Sequence, residues 1–196
     1  MTAVYPPIPD WVSQPAAEYF GHEEKLTQGS AVYAYTCSIP GLVQEPGLIK
    51  LTCQTALRDR SDELVAEAVQ LRTERQVVLG RKGVHFEFLI DEVAFWRRYA
   101  AQLMQAQLER LIREAARPNV TIRIVSGFYP GVCYDYQLVH VHDGSLHLYR
   151  EDVSGGRFES NTGLAVDYLG MFGRAWQSAL SPDASVTLIR SYLAEL

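Results

Sequence analysis

From Val84 to Ile90 the apolar residues Val84, Phe86, Phe88 and Ile90 alternate with His85, Glu87 and Leu89. A period of two belongs to a strand, here one with a strongly apolar face. Farther on, the spacing lengthens to three and four. Met104, Leu108, Leu111, Ile112 and Ala115 share one side of a long helix that Pro118 ends, and Val120, Ile122 and Ile124 resume the strand period. Strand, helix, strand predicts a right-handed crossover between parallel strands, with ligand-accessible space outside their carboxyl ends.

The same reading extends in both directions. Val32 to Cys37 alternates as a short strand that Ile39-Pro40-Gly41 breaks, and Pro46 opens a helix carrying Leu48, Leu51 and Ala56. Between Asp62 and Leu79, Leu64, Val65, Ala68, Leu71, Val78 and Leu79 recur at helical spacing, with Gly80 placed for a left-handed cap. Toward the amino end, Pro6, Pro7, Pro9 and Pro15 make Tyr5 to Pro15 an extended arm. A helix follows from Ala16 past Glu23 and Glu24 toward Gly29, weakened at Gly21.

Asp143-Gly144 suits a two-residue type I′ turn, so a hairpin is expected from Cys133 to Glu151. That register sets His140 opposite His147. It places Tyr136, His140, His142, His147 and Tyr149 on one surface and makes Val139, Val141, Leu146 and Leu148 the core side. After a Gly155-Gly156 loop, Leu164, Tyr168, Phe172, Trp176 and Leu180 form an i, i+4 stripe, and Ser181-Pro182 caps a terminal helix ending in Leu193. These elements predict an α+β fold in which a mixed sheet, with one βαβ crossover and an antiparallel hairpin, is packed by several helices. Residues 1–15 form the arm, and 16–196 form a single ligand-binding domain.

Composition narrows the function. With 196 residues, 47% of them hydrophobic, the chain has material for one substantial core. A formal net charge of -5 leaves no Lys and Arg surplus to face a phosphate backbone, so direct nucleic-acid binding is not expected. No apolar run reaches the length of a membrane span, and Met1 to Trp11 lacks the layout of a signal peptide. A cytoplasmic location follows as the expectation. Cys37, Cys53 and Cys133 include no C-x-x-C pair and read as reduced thiols, and no nucleotide loop, cofactor motif or metal motif appears.

Several segments, taken in order, carry a resemblance. They are Ile39-Pro40-Gly41-Leu42-Val43-Gln44, Arg72-Thr73-Glu74-Arg75-Gln76, Ile90-Asp91-Glu92, Gln107-Leu108, Pro118-Asn119-Val120 and Tyr149-Arg150-Glu151. Over about residues 16 to 193 the chain resembles the domain of unknown function that follows the Xre-type helix-turn-helix in actinobacterial, antitoxin-like transcription regulators. The resemblance implies an effector-sensing role. In such regulators the helix-turn-helix lies upstream, where this chain has only its proline-rich arm, so the DNA-reading half is expected to be absent. The chain also departs from the family after Val125, where Ser126-Gly127-Phe128-Tyr129-Pro130-Gly131 replaces a proline and small-residue loop.

Candidate chemistry falls into a few groups. His140 and His147, with Tyr136 or Tyr149 to orient one of them, form a candidate acid-base set, because imidazole titrates near neutral pH. A three-imidazole metal site on the hairpin is geometrically conceivable but not indicated. Asp91 and Glu92 stand at the carboxyl end of a crossover strand, where they either meet a ligand or cap the next helix. Arg72 and Arg75 share a helix face and either pair with those carboxylates or clamp an anionic ligand. Cys133 and His140 fall on opposite strand faces, which discounts a nucleophile-base pair. Trp96, Phe128, Tyr129, Tyr134 and Tyr149 supply aromatic lining for a pocket.

The leading expectation is a stand-alone regulatory protein that binds a small aromatic or polyketide-like metabolite and leaves DNA alone. One alternative is a metal-independent acid-base enzyme of specialised metabolism, a cyclase, isomerase or hydrolase, built on His140, His147, Asp91, Glu92 and Tyr136. Another is an antitoxin-like module for a small protein partner. A homodimer stays open.

Overall fold

A computed structural model describes residues 5–97, 99–127, 135–152 and 155–196. Its elements, in chain order, are α1 (Gln14–Glu24), β1 (Ala31–Thr36), α2 (Pro46–Ala56), α3 (Asp62–Arg75), β2 (His85–Asp91), α4 (Ala101–Ala115), β3 (Val120–Val125), β4 (Tyr136–His140), β5 (Leu146–Asp152), β6 (Gly155–Ser160), α5 (Gly163–Ser178) and α6 (Pro182–Ala194). Short 3-10 turns cover Gly41–Val43, Gln76–Gly80 and Glu92–Phe95. The helix starts have local causes. Side chains of Glu45, Ser61, Thr162 and Ser181 each accept the backbone N–H three residues on, satisfying an otherwise unpaired donor.

The strands make one mixed sheet in the order β3-β2-β1-β4-β5-β6. β1, β2 and β3 are parallel, and β4, β5 and β6 continue antiparallel from β1. The predicted α+β class, the parallel pair around the long helix and the antiparallel hairpin are all present.

Both faces of this sheet are buried. Val32, Phe86, Phe88, Ile90, Ile122, Ile124 and Val139 look into the larger core with Tyr19, Leu48, Leu108 and Ile189 from α1, α2, α4 and α6. Tyr35, Leu89, Tyr136, Leu138 and Leu148 look the other way, into a smaller core closed by Ala165, Phe172 and Ala175 of α5.

Two sequence expectations are corrected. Gly155-Gly156 is not a loop but the start of β6, paired with Asp152 and Glu151. The Tyr149 ring lies over Gly156, where an added Cβ would stand 3.0 Å from the phenol oxygen, so a side chain there would require the ring to give way by a few tenths of an ångström. The hairpin register is also displaced by one. Val141 N–H donates to Ser145 O at 2.9 Å, and Gly144 N–H donates to Val141 O at 2.9 Å. The loop therefore holds His142, Asp143 and Gly144, with Gly144 at φ +87, a three-residue turn closed by a left-handed glycine rather than a two-residue one. His147 pairs with Val139 and Leu146 with His140. A one-residue displacement moves every side chain of one strand to the opposite face. His140 and Tyr136 consequently face α5, while His147 and Tyr149 face α1, so Val139 and Val141 do not share a surface with Leu146 and Leu148.

Candidate functional site

The carboxyl ends of β1, β2 and β3 come together on one rim of the sheet, where backbone groups leave the ladder and polar side chains take their place. Asp91, last in β2, accepts the Val93 N–H at 3.0 Å with one oxygen and the Tyr35 hydroxyl at 3.3 Å with the other. It thus caps the turn Glu92–Phe95 and reaches a second strand as well.

Glu92 gathers more donors. It accepts Ser126 Oγ–H at 2.6 Å, Tyr192 O–H at 2.7 Å and the Gly127 N–H at 3.3 Å. Partial burial works against its charge, but these three hydrogen bonds outweigh it and hold the carboxyl below the usual glutamate range. Trp96 donates its indole N–H to the Tyr192 oxygen at 3.2 Å and leaves its ring 65% exposed. Beyond the end of β1, Asp135 accepts the Cys37 N–H at 2.7 Å and the Ser38 hydroxyl at 2.9 Å. The rim therefore offers oriented carboxylates with spare lone pairs beside one open aromatic face, suited to hydrogen-bond donors on a ring-bearing guest.

The other predicted residues are dispersed. Arg75 does not meet Asp91 or Glu92. It forks onto the fully buried Glu23 of α1 at 2.8 Å, with its guanidinium 3.6 Å from the Phe20 ring centre. Tyr5 O–H donates to the same carboxylate at 2.7 Å. Burial opposes the Arg75 charge, yet Glu23 and the nearby tyrosines overcome this and raise its pKa. Arg72 lies half-exposed on the same helix, near enough to Cys53 to oppose the rise that burial imposes on that thiol. Tyr149 stacks on Tyr19 at 5.0 Å and donates to Glu151 at 2.8 Å, and on the other face of the sheet Tyr136 meets Tyr168 of α5 edge-on at 4.8 Å.

His147 is buried, with Nδ1 2.8 Å from Ser160 Oγ and Nε2 3.0 Å from Ser145 Oγ. The His22 ring stacks on it at 3.6 Å. Burial, helped by His22, pushes the His147 pKa down to about 4. His140 lies on the opposite face, so the predicted pair shares no surface. His142 is exposed at the hairpin tip, with Nδ1 3.1 Å from Thr27 Oγ1. Among the described residues no group of three or more His, Cys, Asp or Glu is placed to hold a metal ion, and no helix is long and apolar enough to cross a membrane. Phe128, Tyr129, Cys133 and Tyr134 lie outside the described residues.

Sequence reasoning missed Tyr192, Asp135, Glu23 and His22. Each acts through a partner between 18 and 125 residues away, and local periodicity carries no signal for such pairings. Residues 28–191 match the protein family described as a domain of unknown function, DUF5753. No curated protein and no solved structure matches the chain.

Proposed function

This chain belongs to the DUF5753 family, and from that premise we propose that it is a regulatory domain that binds a small molecule at the carboxyl rim of its parallel strands and does not itself contact DNA. The observation that carries the reading is the juxtaposition of Trp96, 65% exposed, with Glu92 and Asp91 at the ends of adjoining elements. Open α/β sheets bind ligands outside the carboxyl ends of their strands. An open indole beside fixed carboxylates favours an aromatic guest carrying hydroxyl or amino donors, which is the chemistry of aromatic and polyketide-like metabolites. The resemblance to effector domains of Xre-type, antitoxin-like regulators supports the regulatory half of the proposal, as fold-level analogy. The net charge of -5 supports the DNA-free half.

The test is a thermal-shift and Trp-fluorescence screen against hydroxylated and aminated aromatic metabolites. A hit should raise the melting temperature and quench the exposed indole, and Trp96→Ala should weaken it about ten-fold or more, as loss of an aromatic anchor does. Glu92→Gln should weaken amine-bearing guests most. A hit indifferent to both substitutions moves the site elsewhere, and a panel without hits counts against the sensor reading.

A further inference from the structure

The two edges of the sheet are finished differently. On β3, the Phe86 N–H bond to Asn119 O sets the phase of the ladder to β2, so Val120, Ile122 and Ile124 turn their backbone groups outward. Val120 N–H is taken by Arg117 O at 3.2 Å, while Ile124 receives the Leu180 N–H and donates to Ser185 Oγ, both at 2.9 Å. That edge is largely closed. On β6, Asn161 N–H donates to Leu146 O at 2.7 Å, and alternation along the antiparallel ladder turns Gly156, Phe158 and Ser160 away from β5. Their backbone N–H and C=O groups have no partner among the described residues. An edge left this way is a template for another strand.

We infer that the strand it receives is β6 of a second copy, antiparallel, about a two-fold axis through Phe158. Two independent patterns are self-complementary about that one point. In β6, the order Arg157-Phe158-Glu159 sets Arg157 opposite Glu159 of the second copy, and Glu159, which also pairs with Arg150 of its own chain at 3.0 Å, opposite Arg157. Phe158 then meets its own copy as a hydrogen-bonded pair, as its outward N–H and C=O require.

The second pattern lies in α1, above this strand. Tyr19 stacks over Tyr149 at 5.0 Å, and His22 stacks over His147 at 3.6 Å and Phe158 at 5.2 Å. Since Tyr149 pairs with Phe158 and His147 with Ser160, α1 runs in the direction of β6. Glu18 and Lys25 are exposed and stand four residues before and three after His22, a spacing that puts all three on one side of the helix and its cap. Their midpoint is Gly21 and His22, next to Phe158. The same axis therefore lays α1 antiparallel to its copy with Glu18 facing Lys25 twice. Gly21 sits at the crossing, where an added Cβ would meet nothing within 4 Å. Because α1 stacks on Tyr149 and His147 of β5 as well as on Phe158 of β6, it lies between those strands, and with strands about 4.8 Å apart the two helices come to roughly twice that spacing, the 8–10 Å of packed helices.

Sedimentation velocity of the full chain across a concentration series, with amide hydrogen exchange on the same samples, tests this. The expected result is a dimer in which the N–H groups of Gly156, Phe158 and Ser160 become protected as concentration rises. Lys25→Glu opposes like charges at both ends of α1 and should weaken dimerisation about ten-fold or more. Adding Glu18→Lys to it restores the pairing and should recover dimerisation, which separates a lost contact from a damaged fold. A chain that stays monomeric overturns the inference, including the case in which the edge serves a different protein. So does a dimer whose three amides stay unprotected, or one indifferent to the charge reversal and its rescue.

Discussion

His147 sits between two serine hydroxyls and under a second imidazole, and its burial together with that imidazole favours its neutral form. A neutral ring can donate from one nitrogen and accept at the other, which the two hydroxyls satisfy. A proton added here would face His22 at 3.6 Å. The pKa falls from 6.5 to about 4 on folding, so between those values the unfolded chain binds more protons than the folded one. The stabilisation is therefore complete above pH 6.5 and is lost as pH drops through 4. We expect the loss to be on the order of 1–2 kcal/mol after solvent screening at the partly covered stack. Urea unfolding at pH 7.5, 5.5 and 4.5 reads this directly, and His147→Gln should flatten the profile relative to the parent. Glu23 is a different case, a fully buried carboxylate that forms an ion pair with Arg75 and accepts the Tyr5 hydroxyl. Glu23→Gln leaves a guanidinium buried without its counter-charge and should cost about 3–5 kcal/mol, visible as a lower urea midpoint with an unchanged slope.

At the scale of elements, the hairpin shows how much one loop residue decides. With Gly144 at φ +87, Gly144→Ala should destabilise the chain by about 1 kcal/mol or somewhat more, because alanine resists the left-handed region. Circular dichroism melts would show the drop. Asp143-Gly144 marks the turn in the sequence, yet the dipeptide is compatible with two- and three-residue loops. Only the burial of a face normally tells these registers apart. Here both faces are buried, Leu138 and Leu148 on one and Val139 and Val141 on the other, so alternation had no polar side to report. Gly155-Gly156 has the local composition of a loop, but both residues pair in β6 and Gly156 passes under the Tyr149 ring, a contact invisible in local sequence. The elements legible in advance are those whose signals are local. β2 shows through its alternation, α4 through its apolar stripe, and α2 and α6 through a proline at the first turn. Asp91 and Glu92 were legible as a strand-end pair because the crossover could be counted from periodicity alone. Tyr192 and Asp135 complete that rim from distant segments, and a single sequence contains nothing that draws them there.

Across the whole molecule, one sheet separates two cores, and the arm belongs to the larger. Tyr5 is 6% exposed, and its hydroxyl, Glu23 of α1 and Arg75 of α3 meet at one point. Tyr19 links that point to Tyr149 on β5 by ring stacking, and β5 bonds to strands whose other face is covered by α5. The arm is thus coupled to the far side of the sheet through shared backbone rather than direct contact. If the two cores form a single cooperative unit, damage at Tyr5 must appear equally at Trp176, which packs on Phe172 at 5.5 Å in the smaller core. In a chain with Trp11→Phe and Trp96→Phe, emission reports Trp176 alone. There, Tyr5→Phe should remove about 1 kcal/mol for the lost hydrogen bond and Tyr5→Ala about 3–5 kcal/mol for the emptied space. Both losses should be read identically by Trp176 emission and by far-ultraviolet circular dichroism. A Trp176 transition that stays in place while the helical signal moves would mean that α5 and its sheet face unfold on their own, and the sheet would then be a partition between two units rather than the spine of one.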